Sequence, residues 1–72
     1  MKNINNIKEI GNFVRQTRKE QGLNQTEAAG LLGVGTRFFS ELENGKETLE
    51  IGKVLQVLNG LKIKIKFEHE DQ

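Results

Sequence analysis

Apolar and polar positions follow two periods along this chain. Ile7, Ile10, Val14, Thr17 and Arg18 recur at three- and four-residue steps, with Phe13 beside them, which predicts an amphipathic helix over about Ile7–Gln21. Asn5 or Asn6 can cap its start, and Gly22 stops it. Gly11 inside the run costs roughly 1 kcal/mol against alanine, a cost that close packing would offset. A second helix is predicted over Gln25–Leu32. Asn24 is its N-cap, Glu27 stands at the capping-box spacing, and Ala28, Ala29, Leu31 and Leu32 supply the apolar positions. Gly33 follows directly and reads as a left-handed stop, because a glycine has no Cβ to clash there. A third helix, Thr36–Leu42, turns Phe39 and Leu42 inward and ends at Asn44-Gly45. Thr48 caps a fourth over Leu49–Leu58, with Leu49, Ile51, Val54, Leu55 and Leu58 as its stripe and Asn59-Gly60 as its stop.

After Gly60 the period becomes two. Leu61, Ile63, Ile65 and Phe67 alternate with Lys62, Lys64 and Lys66, the pattern of a strand with one apolar face. It is the only such pattern in the chain. A lone strand leaves its backbone N–H and C=O groups unpaired and its apolar row bare. The simplest partner is the same strand of a second subunit, antiparallel across a two-fold axis. Pairing with residues 2–5 of the same chain is the alternative. The expected fold is mainly α, four helices plus one C-terminal strand. Its parts are an N-terminal arm at 1–6, a helical domain at 7–59, a dimerisation strand at 60–68 carrying Leu61, Ile63, Ile65 and Phe67, and a polar tail at 69–72.

The second and third helices are joined by only Gly33-Val34-Gly35, so they must cross steeply. Ala29 stands where they come closest and is small enough for that crossing. This is helix-turn-helix geometry. On these residues the stretch resembles the helix-turn-helix of the xenobiotic-response-element type, shared with lambdoid phage repressors and Cro. The resemblance runs through Arg18, Gly22-Leu23-Asn24-Gln25, Ala29, Gly33-Val34, Phe39, Leu42-Glu43 and Gly45, about half the chain, without gaps. Two positions depart from it: Gly30, where a longer polar residue is usual, and Ala28, where leucine is common. With GVGTRFFSELENGK, a further helix and LKIKIKF, the chain most resembles HipB-type antitoxins. Those proteins dimerise through an intersubunit strand pair, repress their own operon and bind a HipA-like serine/threonine kinase toxin.

A third helix of this kind enters the major groove with its N-terminal end against base edges. By position, the resemblance implies base contact by Thr36, Arg37 and Glu41. The fork of Arg37 matches the O6 and N7 acceptors of guanine. Glu41 can accept from a cytosine amine, or orient Arg37 as an i, i+4 pair. Thr36 can touch a thymine methyl. Ser40 and Phe38 lie beside them; Phe38 either contacts a methyl group or packs between subunits. Gln25, at the start of the second helix, suits a phosphate, as do Asn44, Gly45 and Lys46 after the third. The resemblance makes Arg18 and Glu43 a structural ion pair between the first helix and the end of the third. Lys8, Arg15 and Lys19 are either a solvated helix face or phosphate contacts.

Composition narrows this little. The 72 residues make one small domain with 11 basic and 10 acidic side chains, a net charge of +1. A dedicated nonspecific polyanion binder is far more basic, but a groove reader needs only a locally basic face. Cysteine is absent, so no disulfide or Cys-based zinc site forms, which suits a reducing cytoplasm. The lone His69 has no neighbouring ligand, and no metal or cofactor is expected. The first ten residues lack an apolar signal core, and no apolar run is long enough to span a membrane. One His, no Cys, no Tyr and no glycine-rich phosphate cradle followed by Lys argue against an enzyme. The expected function is that of a bacterial, cytoplasmic, nucleoid-associated repressor, homodimeric on an inverted repeat and the antitoxin of a HipBA-like pair. The alternatives are a phage-type regulator without a toxin, and an interaction module on a helix-turn-helix scaffold.

Overall fold

The computed structural model describes residues 6–67 and residue 69. The arm at 1–5 and the tail positions 68 and 70–72 lie outside the described residues. Four helices follow in order: α1 (Ile7–Glu20), α2 (Gln25–Leu32), α3 (Thr36–Glu43) and α4 (Ile51–Gly60). Asn6 caps α1, its side chain accepting from the Glu9 amide at 3.0 Å. At α2 the capping box is complete: Asn24 Oδ1 accepts from the Glu27 amide at 2.7 Å, and Glu27 Oε1 from the Asn24 amide at 2.9 Å.

Every helix ends in the same way. An amide just past the end donates five residues back, Leu23 to Arg18, Val34 to Ala29, Lys46 to Glu41 and Ile63 to Leu58, the longer bond of a Schellman motif. The residue directly before each of these donors is left-handed. It is glycine at the first three ends, but at the fourth it is Lys62, with φ 62°. The expected stop at Asn59-Gly60 is thus corrected: α4 continues through Gly60. That glycine serves space instead, since a Cβ there would run into the Leu32 side chain on α2. Gly11 serves space as well. A Cβ on it would meet the backbone carbonyl oxygens of Leu42 and Glu43, so α1 lies directly against the end of α3.

The core is Val14, Ala28, Ala29, Phe39, Leu42, Val54, Val57, Leu58 and Leu61. On α4 the buried stripe runs Val54, Val57, Leu58, Leu61, at helical spacing. The expected stripe was therefore rotated, and Ile51 and Leu55 lie exposed. The start of α4 is also corrected. It begins at Ile51 behind Glu50, without a side-chain cap bond. Thr48 sits exposed in the preceding turn, and Leu49 packs against the core before the helix starts. Gln56 Nε2 donates to the Leu32 carbonyl at 2.6 Å, tying α4 to the end of α2.

Among the described residues there is no strand. Leu61 is buried as the C-cap of α4, and Ile63 packs on the core. Ile65 and Phe67 are 45% and 93% exposed. A strand is defined by its ladder, and one chain holding a single such segment offers it no neighbour. No described helix is long and apolar enough to cross a membrane.

Candidate nucleic-acid interface

Helix α3 is held by its buried face and open on the other. Phe39 and Leu42 anchor it in the core, while Thr36 and Arg37 at its first turn are exposed. Arg37 has 91% of its side chain in solvent. The N-cap, Gly35, supplies no side-chain acceptor, so the first amides of α3 have no side-chain partner there. Arg37 Nε lies 3.4 Å from Glu41 Oε2, and Lys46 Nζ lies 3.2 Å from the same oxygen. In the free protein Glu41 and Arg37 thus stand as an i, i+4 pair. The Lys46 hydrogen bond, against a smaller effect of burial and with help from Arg37, holds the Glu41 carboxyl below the ordinary glutamate value. Ser40 is half-buried. So is Phe38, which packs against the core with Lys53 Nζ 5.9 Å from its ring centroid.

Behind α3 lies a second cluster around Glu43, whose side chain is fully buried. Its carboxylate accepts four hydrogen bonds: Arg18 Nε at 2.6 Å, Arg18 Nη2 at 3.1 Å, Gln25 Nε2 at 2.9 Å and Arg15 Nε at 3.3 Å. Oε1 takes three of these bonds and Oε2 one, so both oxygens are engaged. Burial pushes the Glu43 carboxyl up, but the bonds from Arg18, Gln25 and Arg15 outweigh it and hold the group below its ordinary value. Arg18 also donates to the Leu23 carbonyl at 2.8 Å, so one side chain joins α1, the α1–α2 turn and α3. Arg15 Nη2 reaches Asn44 Oδ1 at 3.1 Å.

The residues singled out in the sequence thus fall into two groups. Arg37, Glu41 and Lys46 meet at the surface of α3. Gln25 and Asn44, expected at phosphates, are joined through Glu43 and Arg15 to Arg18. Their polarity still suits an anion. The Asn44 oxygen is taken by Arg15, which leaves its amide donors for another acceptor. Arg15 itself belongs to this cluster rather than to a merely solvated face. It stands three residues before Arg18 on the same face of α1, and that i, i+3 spacing was the available signal. Lys53 had none, because only the packing of α4 brings it over Phe38.

A family model described as the antitoxin component of the bacterial toxin-antitoxin system, MqsA, matches residues 1–64. The uncharacterized HTH-type transcriptional regulator y4mF of Sinorhizobium fredii is 57% identical over 60 residues, covering 83% of this chain and 79% of that protein. Among solved structures, a chain of a HipA-HipB-O2-O3 complex superposes with TM-score 0.85 at 18% identity, over 99% of this chain and all of that one. A chain of a HipB-O1-O2 complex gives 0.84 at 19% identity, over 96% of this chain. The fold is therefore the HipB-like helix-turn-helix fold.

Proposed function

Because the chain belongs to the MqsA antitoxin family, we propose that it is a sequence-specific DNA-binding repressor, acting as a homodimer on an inverted repeat and regulating its own operon. The observation that carries this reading is the open face of α3. Arg37 stands 91% exposed at the first turn of a helix whose opposite face is locked in the core. Arg37 reads guanine, Thr36 contacts a neighbouring base, and Ser40 and Phe38 border the groove. Gln25, Asn44 and Lys46 set the register on the backbone through phosphates.

A dimer places two copies of α3 about one helical turn, roughly 34 Å, apart on one side of the duplex. The segment at 60–68 supplies it. Ile65 and Phe67 leave apolar surface outside the core, and pairing with a second copy would bury that surface and complete the ladder. Leu61 and Ile63 anchor the segment to its own core. The toxin held by this antitoxin is a serine/threonine kinase of HipA type, to be tested by copurification with the product of the adjoining gene.

The central test is selection of duplexes from a random-sequence library, followed by anisotropy titration of the winner across a salt series. Affinity should fall steeply as salt rises, with a log–log slope near −0.9 per phosphate contacted. Failure to retain any duplex at low salt would refute the reading.

A further inference from the structure

The exposed face of α3 carries an acid where a polyanion would lie. Glu41 stands one turn after Arg37, and a single oxygen of its carboxylate holds both Arg37 at 3.4 Å and Lys46 at 3.2 Å. Two cations of the candidate interface are therefore engaged by one anion in the free protein. All three groups are open to solvent, with side-chain exposures of 91% for Arg37, 47% for Lys46 and 28% for Glu41. Both cations can leave without disturbing the core. The carboxylate is the least exposed of the three groups and lies one turn after Arg37 on α3, so it stays at the face when they leave.

A duplex of arbitrary sequence meets this face mostly with acceptors: phosphate oxygens, guanine O6 and N7, thymine O4 and adenine N7. An ionised carboxylate only accepts. Against those edges, lone pair meets lone pair and negative meets negative, while Arg37 and Lys46 must abandon their partner to reach phosphate. In the major groove only the cytosine N4 and adenine N6 amines donate. With such an amine opposite Glu41, the carboxylate keeps a partner while Arg37 turns to an adjacent acceptor and Lys46 to the backbone.

We propose that Glu41 is a specificity-determining residue, holding Arg37 and Lys46 in reserve and penalising every duplex that turns an acceptor edge, rather than its cytosine or adenine amine, to the carboxylate. The inference rests on the DNA-binding reading and adds a discriminating element to it. On this account the residue matters more for what it rejects than for what it attracts. The chain's net charge of only +1 fits a protein that binds bulk DNA weakly.

The test compares wild type with Glu41→Gln and Glu41→Ala on two duplexes of equal length, one selected from a random library and one of scrambled sequence. Anisotropy titrations are run across a salt series, with far-UV circular dichroism confirming that both variants are folded. On the scrambled duplex both variants should bind roughly tenfold tighter. Their salt slopes should steepen by up to about two counterions, as the released cations engage phosphate. On the selected duplex the gain should be smaller, so that the ratio of selected to scrambled affinity falls. An unchanged ratio in both variants, with wild type binding its selected duplex, overturns this inference alone. If wild type selects no duplex at all, the DNA-binding reading falls and this inference falls with it.

Discussion

Replacing Glu43 with alanine is expected to remove much of this domain's stability. The carboxylate is fully buried, and Arg18 beside it has only 10% of its side chain exposed. In the variant Arg18 keeps the Leu23 carbonyl and loses its counter-charge. Arg15 is more than a third exposed and can turn to water, so the penalty centres on Arg18. Removing one partner of a buried ion pair costs about 3–5 kcal/mol. A domain of this length has a total of roughly 4–11 kcal/mol, so the variant should lose about a quarter or more of it. Each kcal/mol shifts the midpoint of a domain this size by about 4–8 °C, which predicts a thermal midpoint lower by more than about 10 °C. Urea unfolding followed by circular dichroism reads the loss as a lower midpoint at unchanged slope. The paired change Arg18→Met with Glu43→Leu leaves no unpaired charge and should recover most of the stability. A loss below about 1 kcal/mol for Glu43→Ala, or a double variant no better than the single one, would refute the reasoning. The pH dependence follows with a definite sign. The folded-state pKa of Glu43 is depressed, so its contribution is complete above the unfolded value, about 4.3. It is lost as pH falls from there through the lower folded value. Glu43→Gln should lack that part of the acid destabilisation.

Three further outcomes are expected. Arg37→Ala should cost about 1–3 kcal/mol on the selected duplex and relax one base position, with an unchanged circular dichroism melt because the side chain is exposed; retained selectivity would remove Arg37 from the readout. Ile65→Lys should sediment as a monomer, and a persistent dimer would show that the segment at 60–68 is not the junction. Lys62→Gly should raise the urea midpoint by an amount equivalent to about 1 kcal/mol, since φ 62° disfavours a side chain there; no gain would mean that the lysine is accommodated without strain.

The helices and their first three stops were legible because local chemistry decides them. Gly33 follows an apolar run at once and is left-handed in the structure, with φ 74°. The end of α4 was not legible, because a glycine answers two different needs. Gly60 supplies room for Leu32, and sequence alone does not separate that need from a turn. The stripe of α4 misled for a related reason. Ile51, Val54, Leu55, Val57 and Leu58 leave several helical faces apolar, and only the position of α2 selects which one is buried. Around Glu43, the partner Arg18 came from the family pattern. Gln25 is 18 residues away along the chain, and nothing local announces a contact of that range; Arg15, 28 residues away, was signalled only by its spacing from Arg18.

The arrangement around Glu43 connects the stability of this domain to its reading of DNA. α3 is only eight residues long and carries Arg37 at its start, so on the proposed reading its tilt would decide which base edge Arg37 meets. At the other end Glu43 is bonded to Arg18 and Arg15 on α1 and to Gln25 at the first position of α2. Gly11 brings α1 against the last carbonyls of the same helix. These contacts fix the direction of α3 without using any residue of its outer face. They also orient neighbouring polar groups: Gln25 is held through its Nε2 by Glu43, and Asn44 through its Oδ1 by Arg15, which leaves the Asn44 amide donors unspent. Weakening this cluster should therefore blur base selectivity before the domain unfolds. Arg15→Ala, which removes a Glu43 partner whose side chain is 38% exposed, is the variant in which that loss would appear with the fold intact.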